Sequence, residues 1–99
     1  MIEITKEQLE TMINNKESFI VDFYANWCGK CHSVAAMLEK YKDKVEIPIY
    51  KINIQDNLSL KEKYEVLQLP TIIAFKDGEE YKRYDNLSLS SFLKEFMKK

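Results

Sequence analysis

Cys28, Cys31 and His32, in the stretch Trp27-Cys28-Gly29-Lys30-Cys31-His32, are the residues of this sequence best equipped for chemistry. Their spacing has two incompatible readings. C-x-x-C-H is the attachment signature of a c-type haem, with His32 as proximal ligand and a methionine such as Met37 or Met97 arriving from elsewhere. The same two cysteines form the C-x-x-C of a thiol redox pair. Zinc is a third use, but these residues supply three adjacent ligands where a closed structural site needs four. Two more side chains stand where burial makes a charge costly. Asp22 interrupts the apolar run from Phe19 to Tyr24, and a desolvated, unpaired carboxylate takes up a proton near neutral pH. Lys51 breaks Ile49-Tyr50-Lys51-Ile52 in the same way, either as the charge partner of Asp22 or as a strand lysine reaching for water.

The elements that must position these groups follow from periodicity. Ile2 to Ile4 reads as a short strand, and Thr5 with Gln8 forms a capping box for a helix carrying Leu9, Met12 and Ile13. Phe19 to Tyr24 has the nearly continuous apolar character of a strand buried on both faces. A second helix fits Cys31 to Tyr41, followed by a strand from Ile47 to Ile54, a short helix from Leu58 to Tyr64 and a strand from Thr71 to Lys76. Asp77-Gly78 is a hairpin turn that returns Glu80 to Tyr84 antiparallel. Ser88 caps a last helix through Phe92, Leu93 and Phe96. The order βαβαβαββα implies an α/β fold with a mainly parallel sheet and helices on both faces.

This order gives the cysteines an address at the junction of a buried strand and a helix start. Backbone N–H groups are unpaired there and the peptide dipoles place partial positive charge. A thiolate at Cys28 is stabilised by such a site, which lowers a cysteine pKa from about 8.5 into the range of roughly 3.5 to 7.5. Cys28 is therefore expected to be exposed and nucleophilic, with Cys31 one turn deeper and able to attack a mixed disulfide formed at Cys28. Two inert buried thiols are the alternative.

Composition sets the outer limits. The 99 residues are 45% hydrophobic and 31% charged, ordinary for a globular chain, and no linker, repeat or low-complexity segment divides residues 1–99, so one domain is expected. A formal net charge of -1 supplies no long-range field for nucleic acid or an anionic membrane. The charged start Met1-Ile2-Glu3-Ile4-Thr5-Lys6-Glu7 does not read as a secretory leader and no stretch reaches membrane-spanning length, so a cytoplasmic protein is expected. A close pair of cysteines in a reducing compartment points to catalysis or metal binding rather than a structural bridge.

Val21-Asp22-Phe23-Tyr24-Ala25-Asn26-Trp27-Cys28-Gly29-Lys30-Cys31, followed by Tyr50-Lys51-Ile52-Asn53-Ile54, Leu69-Pro70-Thr71 and Phe75-Lys76-Asp77-Gly78-Glu79, resembles the thioredoxin family in motif, order and spacing over nearly the whole chain. The resemblance implies a thioredoxin fold, a central mixed five-stranded sheet flanked by four helices. It implies reduction of protein disulfides, with Cys28 attacking, Cys31 resolving, Asp22 assisting proton transfer, Lys51 close to Asp22, and Pro70 in the cis form. Trp27, Gly29, Lys30, Leu69, Pro70 and Thr71 would meet the substrate, with the Leu69 backbone pairing to an extended strand. No cofactor is implied in the chain itself. A flavoprotein reductase using NADPH would restore the dithiol, disulfide-containing proteins would be the targets, and the protein would act as a monomer. A thioredoxin-like module that binds without catalysis is the competing reading. The chain departs from the family at Lys30, where proline is usual, and at His32, where lysine or arginine is usual. Gln68 stands where a small residue is common, and Tyr84-Asp85-Asn86-Leu87 lacks the glycine usual after the fifth strand.

Overall fold

In the computed structural model, which describes Met1 to Lys99, five strands form one sheet in the order β1-β3-β2-β4-β5. They are β1 (Ile2–Glu3), β2 (Phe19–Tyr24), β3 (Ile49–Asn53), β4 (Thr71–Lys76) and β5 (Glu79–Arg83). The helices are α1 (Lys6–Asn14), α2 (Gly29–Tyr41), α3 (Ser59–Lys63) and α4 (Leu89–Leu93), with 3-10 turns at Ile54–Asp56 and Lys94–Phe96.

Local chemistry explains most of the boundaries. Thr5 caps α1 with a complete box, its hydroxyl accepting from the Gln8 N–H at 3.1 Å while Gln8 Oε1 accepts from the Thr5 N–H at 2.8 Å. Ser88 caps α4, accepting from the Ser91 N–H at 3.2 Å. β3 is shorter than the expected span because Pro48 has no N–H to give the ladder, although its carbonyl still accepts from the Ile20 N–H at 2.9 Å. β5 begins one residue earlier than expected. Asp77 and Gly78 form a two-residue turn with φ of 52° and 79°, so Lys76 pairs directly with Glu79. Gly78 is required there: its N–H donates to the Glu17 carbonyl at 3.0 Å, and a Cβ would collide with the Ile13 carbonyl.

The sheet is mixed, as the resemblance implied, which corrects the mainly parallel sheet expected from the alternation of elements alone. β1 and β2 run parallel to β3, but β4 is antiparallel to β2 and β5 antiparallel to β4. A parallel crossover must carry the chain back along the sheet, and the five-residue α3 spans only about 8 Å at 1.5 Å per residue, against roughly 20 Å for a six-residue strand. The chain therefore enters β4 at the end where β2 and β3 finish.

Alternating side chains of β2 serve two cores. Phe19, Val21 and Phe23 join Leu9 of α1 and Leu60 of α3 on one face. Ile20 joins Val34 and Leu38 of α2 and Phe92 and Leu93 of α4 on the other. Asp22 shares the face of Ile20 and so points to the side that α2 covers. The sheet edges are unlike its centre. β1 is two residues long, and β5 reads Glu79-Glu80-Tyr81-Lys82-Arg83 and is largely exposed. No helix is long and apolar enough to cross a membrane.

Candidate active site

β2 delivers the chain to a sharp exit at Ala25-Asn26-Trp27, and α2 begins at once. The helix starts at Gly29, two residues ahead of the expected Cys31, which makes Cys28 its N-cap. Cys28 Sγ accepts a hydrogen bond from the Cys31 N–H at 3.1 Å, a place that serine or aspartate fills in most helices. The exit is held by the Cys28 N–H on the Ala25 carbonyl at 3.2 Å and by the Asn26 N–H on Gln55 Oε1 at 2.9 Å.

The two cysteines are joined as a disulfide, with Cα atoms 5.2 Å apart, and neither is free. The order of depth is as expected, but the exposure of Cys28 is not. Cys28 is 6% accessible and Cys31 2%, and both belong to the core cluster of β2 and α3. Burial follows from the cap itself, because a sulfur accepting from the first helical turn is drawn in over the helix end. Gly29 and Lys30 are exposed beside it, and a side chain at Gly29 would meet open space.

His32 is engaged elsewhere, its Nε2 donating to the Asn26 carbonyl at 2.9 Å. Met37 lies partly exposed on α2, and Met97 pairs with Val45 through the backbone. Nothing in these positions gathers a haem ligand set, and no group of three His, Cys, Asp or Glu side chains is placed to hold a metal ion.

Asp22 is fully buried, and neither carboxylate oxygen has a hydrogen-bond partner. It lies in register between Lys51 on β3 and Ile72 on β4. Burial raises its pKa from 3.8 to about 7, and the positive charge of Lys51 opposes the rise. The ion pair between Asp22 and Lys51 that the sequence allowed is not formed. The Lys51 ammonium lies instead over the Tyr24 ring, 5.5 Å from its centroid, and the Tyr24 hydroxyl donates to the Glu3 carboxylate. Lys51 thus acts on Asp22 as a neighbouring charge without bonding to it.

Beside the disulfide, Trp27 is 72% exposed and lines a groove of about 230 Å³ with Leu58, Val66, Leu67 and Leu69. Leu69 also packs against the cluster that holds both cysteines. The Leu69–Pro70 peptide is cis, as the resemblance implied, and Thr71 Oγ1 donates to the Gln68 carbonyl at 2.6 Å. Leu69 makes no backbone hydrogen bond within the chain. Sequence reading missed Leu58 and Leu67, which are 69% and 89% exposed. The available signal was an apolar pair, Val66-Leu67, inside a segment with neither helical nor strand period.

Comparison with known proteins agrees with this geometry. The family model described as Thioredoxin matches residues 1–99. The thioredoxin of Chlamydia pneumoniae is 40% identical over 92 residues, covering 86% of this chain and 90% of that protein. Thioredoxin-1 of Saccharomyces cerevisiae is 34% identical over 77% of this chain and 75% of its own length. Among solved structures, the oxidised thioredoxin of Plasmodium falciparum superposes with a TM-score of 0.86 at 20% identity over 99% of both chains. A thioredoxin of Schistosoma mansoni gives 0.84 at 26% identity over 97% of this chain and 94% of that one. A sequence relationship that spans the whole fold and a cysteine pair already joined at the head of α2 lead to one conclusion: this chain belongs to the thioredoxin family of thiol–disulfide oxidoreductases.

Proposed function

We propose that the protein reduces disulfides in other proteins, with Cys28 as the attacking and Cys31 as the resolving sulfur. The observation that carries this reading is the N-cap bond from the Cys31 N–H to Cys28 Sγ. In the dithiol form that donor and the helix dipole favour a thiolate at Cys28. The thiolate attacks one sulfur of the target disulfide; the target S–S bond breaks, one target thiolate leaves, and a mixed disulfide joins Cys28 to the target. Cys31 then gives its proton to the Asp22 carboxylate and attacks Cys28 Sγ. The mixed disulfide breaks, the second target thiolate leaves and is protonated, and the Cys28–Cys31 disulfide remains. The dithiol has given up two electrons and the target has gained them.

A proton acceptor suits this step when its pKa lies near the working pH, and a value of about 7 at Asp22 supports the assignment. Lys51 keeps that value from rising further. Trp27 and Leu69 form the receiving surface with Gly29 and Lys30, whereas Pro70 and Thr71, expected to meet the substrate, are buried and support the segment from beneath; the unbonded Leu69 backbone is available to an extended target segment. A flavoprotein reductase drawing on NADPH returns the dithiol. The setting is the cytoplasm, and the working unit is a monomer of one domain.

Turnover of insulin disulfides with dithiothreitol as reductant tests the reading. Wild type should accelerate precipitation of the insulin B chain, and Cys28→Ser and Cys31→Ser should both lose turnover. Only Cys31→Ser should accumulate mixed disulfides with target proteins. Equal rates for all three proteins would favour the module that binds without catalysis, and trapping by Cys28→Ser alone would reverse the two roles.

A further inference from the structure

The segment that carries Leu67 and Leu69 leaves the end of α3, and one side chain from the far edge of the sheet reaches that point. Arg83, the last residue of β5, donates from Nη1 to the Glu65 carbonyl at 3.1 Å and from Nη2 to the Tyr64 carbonyl. Glu80 grips the same guanidinium from the other side, accepting from Nε at 2.7 Å and from Nη2 at 2.9 Å. The carbonyls at a helix end have no partners in the helix, and a cation there is favoured by the dipole. A planar fork can serve two carbonyls and a carboxylate together, whereas an ammonium cannot match that geometry.

What Arg83 holds is the point where the chain changes direction. Glu65 has φ of 51°, the left-handed region in which a residue without glycine's freedom needs support. Val66 follows, 2% exposed and packed in the core. At the far end Thr71 Oγ1 fixes the Gln68 carbonyl. Leu67, Gln68 and Leu69 therefore span a short bridge with one anchor of side-chain hydrogen bonds on each side, and they form one wall of the groove beside Trp27.

We propose that Arg83, seated by Glu80, is a positioning residue for target recognition, holding residues 66–70 in the shape that receives an extended target segment. This rests on the reduction of protein disulfides proposed above. Arg83 lies on β5, separated from β2 by β4, so its influence on the reaction runs through the groove wall and not through the sulfurs.

The test compares wild type with Arg83→Met, Arg83→Lys and Glu80→Gln, using insulin as substrate and amide hydrogen exchange of the oxidised proteins. Arg83→Met should raise KM for insulin about three- to tenfold with kcat within about twofold, the cost of ordering one or two loop residues on binding. Amides of Glu65 and Val66, which donate to the Glu62 and Lys61 carbonyls at 3.2 and 2.8 Å, should exchange about tenfold faster or more while those of β2 and β4 keep their protection. Arg83→Lys should recover only part of the loss, and Glu80→Gln, which leaves the guanidinium in place but loosens its seat, should move both readouts the same way by less. Unchanged loop exchange in Arg83→Met would overturn the proposal, as would faster loop exchange with KM unaltered. Wild type inert towards insulin would overturn the reduction reading itself, a result distinct from either.

Discussion

Asp22 carries its charge at a cost that pH can remove. Burial raises its pKa in the folded protein to about 7 from the ordinary 3.8. Below pH 4 both folded and unfolded chains hold the proton and the group is neutral to stability. Between about pH 4 and 7 the unfolded chain releases the proton while the folded chain keeps it, so stability falls as pH rises, and above 7 the loss is complete. Three pKa units correspond to roughly 4 kcal/mol. A buried amide without partners carries its own cost at every pH, so Asp22→Asn should be less stable than wild type by roughly 1 to 3 kcal/mol near pH 4 and more stable by roughly 1 to 3 kcal/mol at pH 8, a swing of roughly 4 kcal/mol in all. Insulin turnover should fall in the same variant. Urea unfolding of the oxidised proteins across this range measures the first effect, and a gap that does not vary with pH would mean the carboxylate finds a partner in solution. Lys30 is the other residue with an expected signature. It is exposed in the first turn of α2, where its charge favours a Cys28 thiolate and a proline would fit without breaking the helix. One exposed charge is worth about 1 kcal/mol or less. Lys30→Pro should accordingly make the couple more reducing by about 20 mV, since 30 mV corresponds to about 1.4 kcal/mol. Equilibration with glutathione buffers reads this shift directly, and an equal or more oxidising couple would refute it.

Among the elements, the β4–β5 hairpin depends on one residue. Gly78 has φ of 79° and its Cα faces the Ile13 carbonyl at the end of α1, so Gly78→Ala combines backbone strain with a steric collision. A loss of about 2 kcal/mol or more is expected, visible as a lower urea midpoint with an unchanged slope. The same elements show what could be read in advance. Phe19 to Tyr24 and Thr71 to Lys76 were legible to the residue, because each is a short, mostly apolar run of strand-favouring residues. Thr5, Ser88 and Asp77-Gly78 were legible because capping and turn chemistry is local. The start of α2 was not, since no propensity marks cysteine as an N-cap. The mixed sheet was legible only through the family resemblance, because the direction of β4 depends on how far α3 can carry the chain, a matter of length in space that periodicity does not encode. The left-handed turn at Asn86, φ 65°, shows how the chain manages without the glycine usual in that loop, because asparagine tolerates this region better than most residues.

At the scale of the whole molecule, a formal net charge of -1 leaves no long-range field to steer a partner, and in the proposed function recognition falls to the apolar groove. The kcat/KM for insulin should thus change by less than about twofold between low and physiological salt; a steep decline would reveal a charged contact outside the groove. The redox pair, Asp22 and Leu69-Pro70 could be found from sequence because each stands in a compact motif. The groove could not, since Trp27, Leu58 and Leu67 come from three separate segments and meet only through the fold. The sheet edges have a further consequence. A strand left open at the side of a sheet can recruit another chain and seed fibrils. Here one border offers only the two residues of β1, and the other presents Glu79, Glu80, Lys82 and Arg83 in the five residues of β5. Neither gives an incoming strand a long uncharged ribbon to zip along, so concentrated folded protein should withstand prolonged shaking without binding thioflavin T.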